Sequence, residues 1–77
     1  MELKNKIIVI TGAGSGIGRA LAVRFHAEGA KAVVSVDINL ENAQETAAMV
    51  GGVAMSADVA KEEDVLRVIE TTETDIG

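Results

Sequence analysis

Lys6-Ile7-Ile8-Val9-Ile10-Thr11-Gly12-Ala13-Gly14-Ser15-Gly16-Ile17-Gly18-Arg19-Ala20-Leu21-Ala22 is the stretch that decides the fold. Lys6 to Thr11 is predicted as a strand. Its apolar run, Ile7 to Ile10, is β-branched throughout, the pattern of a strand buried on both faces of a parallel sheet. The glycines then turn the chain sharply, and Arg19-Ala20-Leu21-Ala22 carries a helix away. A strand, a glycine turn and a helix start leave backbone N–H groups without helical partners, which makes an anion site.

The rest of the chain repeats this alternation. From Gly16 to about Glu28, Ile17, Leu21 and Phe25 recur every four residues, the stripe of a helix laid on a sheet. Gly29 is expected to stop that helix as the left-handed residue past its end. Ala32-Val33-Val34-Ser35-Val36-Asp37 reads as the second strand. Asn39 is the expected cap of a second helix with the buried stripe Leu40, Ala43, Ala47 and Val50, and Gly51-Gly52 breaks it. Val53 to Ala57 is a short third strand ending at Asp58. A third helix is expected from about Lys61 to Thr74, with Val65, Leu66 and Ile69 as its apolar face. Glu62, Glu63 and Asp64 favour its positive end, while Ala60 stands where a Ser or Thr cap is expected. Strands alternating with helices imply right-handed crossovers and a parallel sheet. The expected architecture is the first βαβαβα half of a doubly wound α/β fold, with strand order 3-2-1.

Seventy-seven residues make one small domain, residues 1–77, with a core of modest size. Hydrophobic residues form 48% of the chain, and Phe25 is its single aromatic residue, so the core must be aliphatic. The net charge is −5, and the Lys and Arg residues never cluster, which argues against nucleic-acid and anionic-membrane partners. The chain has no cysteine, which excludes disulfides and thiolate metal sites and suits the reducing cytoplasm. Met1 to Lys6 and the short apolar run after it do not make a secretory leader. No apolar run approaches the ~18 residues of a membrane span. His26 has no partner for acid–base work, and Met49 and Met55 read as core filler. Glu62, Glu63 and Asp64 read as a solvated helix start, so no metal site is expected.

Gly12, Gly14, Gly16 and Gly18 fall at alternate positions. They match neither G-x-G-x-x-G nor the phosphate loop that ends in Gly-Lys-Ser/Thr. They do match Thr-Gly-x-x-x-Gly-x-Gly. Gly12 permits the sharp exit from the strand, Gly16 lets backbone approach a diphosphate, and Gly18 lets the helix pack close to the sheet. Ser15 can donate its hydroxyl to a phosphate or ribose, and the N–H of Ile17 opens the helix toward the diphosphate. Asp37 lies 19 residues past Gly18, where an acid accepts hydrogen bonds from a ribose 2′-hydroxyl. These features describe a site for an adenine dinucleotide.

Thr11 to Gly18 resembles the cofactor fingerprint of the short-chain dehydrogenase/reductase family, and the similarity continues through Asp37 and Asp58-Val59. The resemblance implies a three-layer Rossmann-type fold, with Asp58 and Val59 bordering the adenine. It implies NAD as the cofactor, because NADP-preferring members place a basic residue where this chain has Ser15 or Ile38-Asn39. Asp37 would repel a 2′-phosphate, and Arg19 is expected to point along the helix surface. Family catalysis, hydride transfer between nicotinamide and an alcohol or carbonyl, uses a tyrosine, a lysine four residues later and a serine. This chain has no tyrosine, and Ser15, Ser35 and Ser56 fall in the cofactor half, so no residue is assigned as catalytic. The chain is therefore expected to be an NAD-binding part truncated before the fourth strand, not competent alone. The alternative is a stand-alone, non-enzymatic nucleotide-binding module. The parent is expected to be a homo-oligomer, and the 77-residue chain to self-associate through the open edge of its first strand.

Overall fold

A computed structural model describes residues 6–76. Residues 1–5 and 77, which the expected domain includes, lie outside the described residues. The element order is β1 (Ile7–Thr11), α1 (Gly16–Ala27), β2 (Ala32–Asp37), α2 (Leu40–Val50), β3 (Val53–Ser56) and α3 (Glu62–Thr71), followed by a π-helical turn, Thr72–Ile76. Every expected element is present. The strands form one parallel sheet in the order β1-β2-β3, the expected 3-2-1 order seen from its other edge. Ile7 pairs with Ala32 and Thr11 with Val36, while Val34 pairs with Val53 and Asp37 with Ser56.

Alternation along each strand divides the core in two. On one face Ile10 and Val33 pack with Ala22 of α1, Val50 of α2 and Ala13 of the turn, supported by Ile8 and Phe25. On the other face Val34 and Val36 pack with Ala57 and with Val68 of α3. The helices α1 and α2 therefore share one side of the sheet and α3 covers the other, giving three layers. Two crossovers that step the same way with right-handed twist must place both helices on one face. β2 is central, and Val33, Val34 and Val36 are fully buried or nearly so, each worth roughly 1.5–3 kcal/mol of transfer free energy.

The helix ends follow their residues. The Asn39 side chain accepts the Asn42 N–H at 3.1 Å, Gly51 closes α2 at φ 67, and Gly29 follows α1 at φ 94. α3 begins one residue later than expected and has no side-chain cap at Lys61. Its start is built from carboxylates: Asp58 Oδ1 accepts the Ala60 N–H and Asp64 Oδ2 accepts the Asp58 N–H, both at 2.9 Å. 

All three helix faces differ in part from expectation. In α2, Ala43, Ala47 and Val50 are buried as expected, but Leu40 at the first turn is 42% exposed. In α1 the sheet-facing positions are Gly18, Ala22 and Phe25, and Ile17 is 81% exposed. Gly18 and Ala22 win because their lack of bulk lets the helix axis approach the sheet, which no branched side chain allows. In α3 the buried residue is Val68, while Leu66 and Ile69 stand about half exposed. Met49 is also exposed, on the outer face of α2, so it fills no core. No helix among the described residues is long and apolar enough to cross a membrane.

Candidate functional site

Parallel strands put their C-terminal ends together, and three segments leave the sheet there: turn 12–18, Asp37-Ile38 and Asp58-Val59. Gly12, Asp37, Ile38, Ala57, Asp58 and Val59 line one open cleft of about 250 Å³. The crevice outside the strand ends is the usual ligand position in an open α/β sheet. Four of the expected site residues, Gly12, Asp37, Asp58 and Val59, thus meet at one cleft. Ser15, Gly16, Ile17 and Gly18 continue from Gly12 into the first turn of α1.

Short backbone bonds hold these segments. The Ala13 N–H donates to the Val36 carbonyl at 2.9 Å, and the Ala57 N–H donates to the Asp37 carbonyl at 3.1 Å. Gly12 and Gly16 have φ of 67 and 55, and a Cβ on either would meet nothing within 4 Å. Their backbone faces open space, a cradle that side chains would partly fill, and the dinucleotide diphosphate fits that character. Gly18 is glycine for another reason, since a Cβ there would run into the Gly12 carbonyl. Ser15 sits extended and exposed at the N-cap, and its hydroxyl makes no cap hydrogen bond.

Asp37 is half-buried, and both of its oxygens are engaged. Oδ2 accepts the Gly14 N–H at 2.9 Å and Oδ1 the Asn39 N–H at 3.0 Å. A carboxylate has about four acceptor positions, so these two bonds leave about two for vicinal hydroxyls of a ligand. Asp58 has a structural duty beside any ligand role, because its Oδ1 shapes the turn into α3. The cleft lining holds two carboxylates and no cation. Among the described residues no group of three His, Asp or Glu side chains converges as a metal site.

Arg19 departs from expectation. Instead of lying along the surface of α1, it reaches across to α2 with its side chain 27% exposed. Nη2 donates to the Gly14 carbonyl at 2.6 Å and contacts Glu45 Oε2 at 3.2 Å, and Nε donates to Thr46 Oγ1 at 2.9 Å. The buried Thr46 hydroxyl donates to the Ala13 carbonyl at 2.7 Å. Gly14 is hemmed in by this approach: a Cβ there would lie 2.6 Å from Asn42 Cβ and 2.7 Å from Asp37 Oδ2. Reading the sequence missed Gly14, Arg19 and Thr46 as site residues. The one available signal was Thr46, a polar residue on the apolar stripe Ala43-Ala47-Val50.

Comparison with known proteins identifies the family and the fold. Residues 6–77 match the family model described as short chain dehydrogenase. Tropinone reductase-like 1 of Erythroxylum coca is 42% identical over 99% of this chain, and 2-(S)-hydroxypropyl-CoM dehydrogenase 3 of Xanthobacter autotrophicus is 44% identical over the same share. The matches cover 28% and 31% of those proteins, so the chain spans less than a third of the length of these relatives. A crystal structure of ribose-5-phosphate isomerase from Brucella melitensis superposes with a TM-score of 0.91 at 36% identity, over 99% of this chain and 29% of that one. The name of that last protein speaks of isomerisation, so likeness of fold does not by itself select a reaction.

Proposed function

The chain belongs to the short-chain dehydrogenase family, and from that premise we propose that it is the cofactor-binding part of an NAD-dependent oxidoreductase. The supporting observation is convergence: a glycine cradle, an acid with free acceptor capacity and the Asp58-Val59 pair meet at the C-terminal ends of three parallel strands. Gly12, Gly16, Ile17 and Gly18 would carry the diphosphate on backbone, with the Ser15 hydroxyl beside it. Asp37 would accept the adenosine ribose hydroxyls, and Asp58 and Val59 would border the adenine. When bound, the nicotinamide supplies or takes the hydride exchanged with an alcohol or carbonyl carbon.

NAD is favoured over NADP by charge. A 2′-phosphate at the ribose position would meet Asp37, and Arg19 is already occupied by Gly14, Thr46 and Glu45. Substrate chemistry would need a tyrosine, and the 77 residues contain none. We propose that this polypeptide binds cofactor without turning over substrate. The lack of cysteine supports a reducing cytoplasmic setting, with the parent a homo-oligomer and this chain self-associating along β1. Titration of the 77-residue chain by nicotinamide fluorescence tests the cofactor reading. NADH should bind at least about tenfold more tightly than NADPH, and equal affinities would overturn the assignment.

A further inference from the structure

We infer that Thr46 and Arg19 are positioning residues that set the cofactor turn from α2 before any ligand arrives, an inference that rests on the dinucleotide reading above. Peptide planarity couples the two ends of each unit in the turn. A trans peptide unit points its C=O and N–H in opposite directions, so holding one end aims the other. Thr46 Oγ1 donates to the Ala13 carbonyl at 2.7 Å, and the N–H at the far end of that same peptide unit is the Gly14 N–H that holds Asp37 Oδ2 at 2.9 Å. The hydroxyl of α2 therefore aims the donor that orients the ribose-binding acid.

Arg19 does the same to the next unit. Its Nη2 takes the Gly14 carbonyl at 2.6 Å, which turns the Ser15 N–H away from α2. Its Nε donates to Thr46 Oγ1 at 2.9 Å, so one guanidinium braces both the second peptide and the hydroxyl that holds the first. A planar fork suits this double task, as a lysine point charge would not. Gly14 has no room for a Cβ beside Asn42 and Asp37, so α2 is seated directly on the turn it orients.

The test uses the 77-residue chain with Thr46→Val, Thr46→Ser and Arg19→Gln. Thr46→Val is nearly isosteric and leaves every charge in place. It should speed hydrogen exchange of the Gly14 amide about tenfold while the β2 amide of Val34 is unchanged. It should weaken NADH about tenfold and narrow the NADH:NADPH preference, because a loosened Asp37 discriminates less. Thr46→Ser should restore both, and Arg19→Gln should repeat the Gly14 effect. A role in folding alone would raise Gly14 and Val34 exchange together and weaken both nucleotides equally, and either result overturns the inference. So does Thr46→Val leaving Gly14 exchange and NADH affinity within twofold of the parent. If Thr46→Val does not fold, Arg19→Gln, altered at a partly exposed side chain, decides by the same amide readout. If the parent chain binds neither nucleotide, the cofactor reading fails, and Gly14 exchange still decides whether Thr46 and Arg19 aim the turn.

Discussion

Asp37 and Gly14 are joined by a 2.9 Å hydrogen bond across 23 residues of chain, so the acid at the end of β2 is fastened to the glycine turn. The carboxylate is oriented by the same backbone that would cradle the diphosphate. Ribose and diphosphate recognition are therefore one mechanical unit, and a change at either should be felt at both.

Replacing Asp37 by Asn separates charge from shape. The amide oxygen can still accept one N–H, but the negative charge that repels a 2′-phosphate is gone. NADH affinity should fall roughly 10–100-fold, as for loss of charge-assisted hydrogen bonds, while NADPH is hurt less. Parallel fluorescence titrations read the ratio, and an unchanged NADH:NADPH preference would sink the role given to Asp37.

Gly16 and Gly18 should fail in different ways when each is changed to Ala. At Gly18 the methyl runs into the Gly12 carbonyl, so backbone must move, and stability should fall by more than ~2 kcal/mol. At Gly16 the methyl meets nothing, and the left-handed φ of 55 costs about 1 kcal/mol or slightly more. The Gly16 variant should keep its fold and lose NADH binding far out of proportion, because its methyl stands where the diphosphate would approach. Urea unfolding and NADH titration of both variants provide the check.

Ser35 is fully buried in the central strand, and its Oγ has no hydrogen-bond partner among the described residues. A buried hydroxyl without a partner costs folding free energy, so Ser35→Ala should leave stability unchanged or raise it by ~1 kcal/mol. Pairing with Ile10 and Ala54 places it away from the cleft, and nucleotide affinity should not move. A fall of more than ~1 kcal/mol in the urea unfolding free energy would mean that the hydroxyl has a partner after all.

Local physics makes much of this fold legible in the sequence. The strand at Ile7 to Ile10, the Asn39 cap, the left-handed Gly29 and the break at Gly51 each act through near neighbours in the chain, and each appears where the sequence places it. The expected burial of that strand on both faces fails at Val9, which is 41% exposed beside the open edge of β1. What escaped depends on distant partners. The four-residue spacing of α1 places Ile17 and Leu21 on the sheet, yet they stand 81% and 41% exposed while Ala22 is buried. Closeness to the sheet selects small residues, which hydrophobicity does not rank highly. Arg19 meets Thr46 across 27 residues, and Gly14 is crowded by Asn42 and Asp37, contacts that exist only once α2 is docked. The expected cleft residues were readable because strand ends converge in any parallel sheet; the brace behind them was not.

The outer edge of β1 pairs with no strand among the described residues, and beside it Val9, Thr11, Val65, Val68 and Ile69 line an apolar groove of about 90 Å³. Val9 is 41% exposed and Ile69 47% exposed, where a buried central strand would be covered. An unpaired apolar edge invites addition of another strand, so the 77-residue chain should associate as its concentration rises. Val9→Lys puts a charge into the groove without touching the pairing of β1 with β2 and should shift the population to monomer. Sedimentation velocity across a hundredfold range of concentration, roughly 5 to 500 μM, reads the difference, spanning the weak affinities of about −5 to −7 kcal/mol expected of a small edge contact. A parent chain that stays monomeric throughout, or a Val9→Lys variant that associates as strongly as the parent, would remove β1 as the contact.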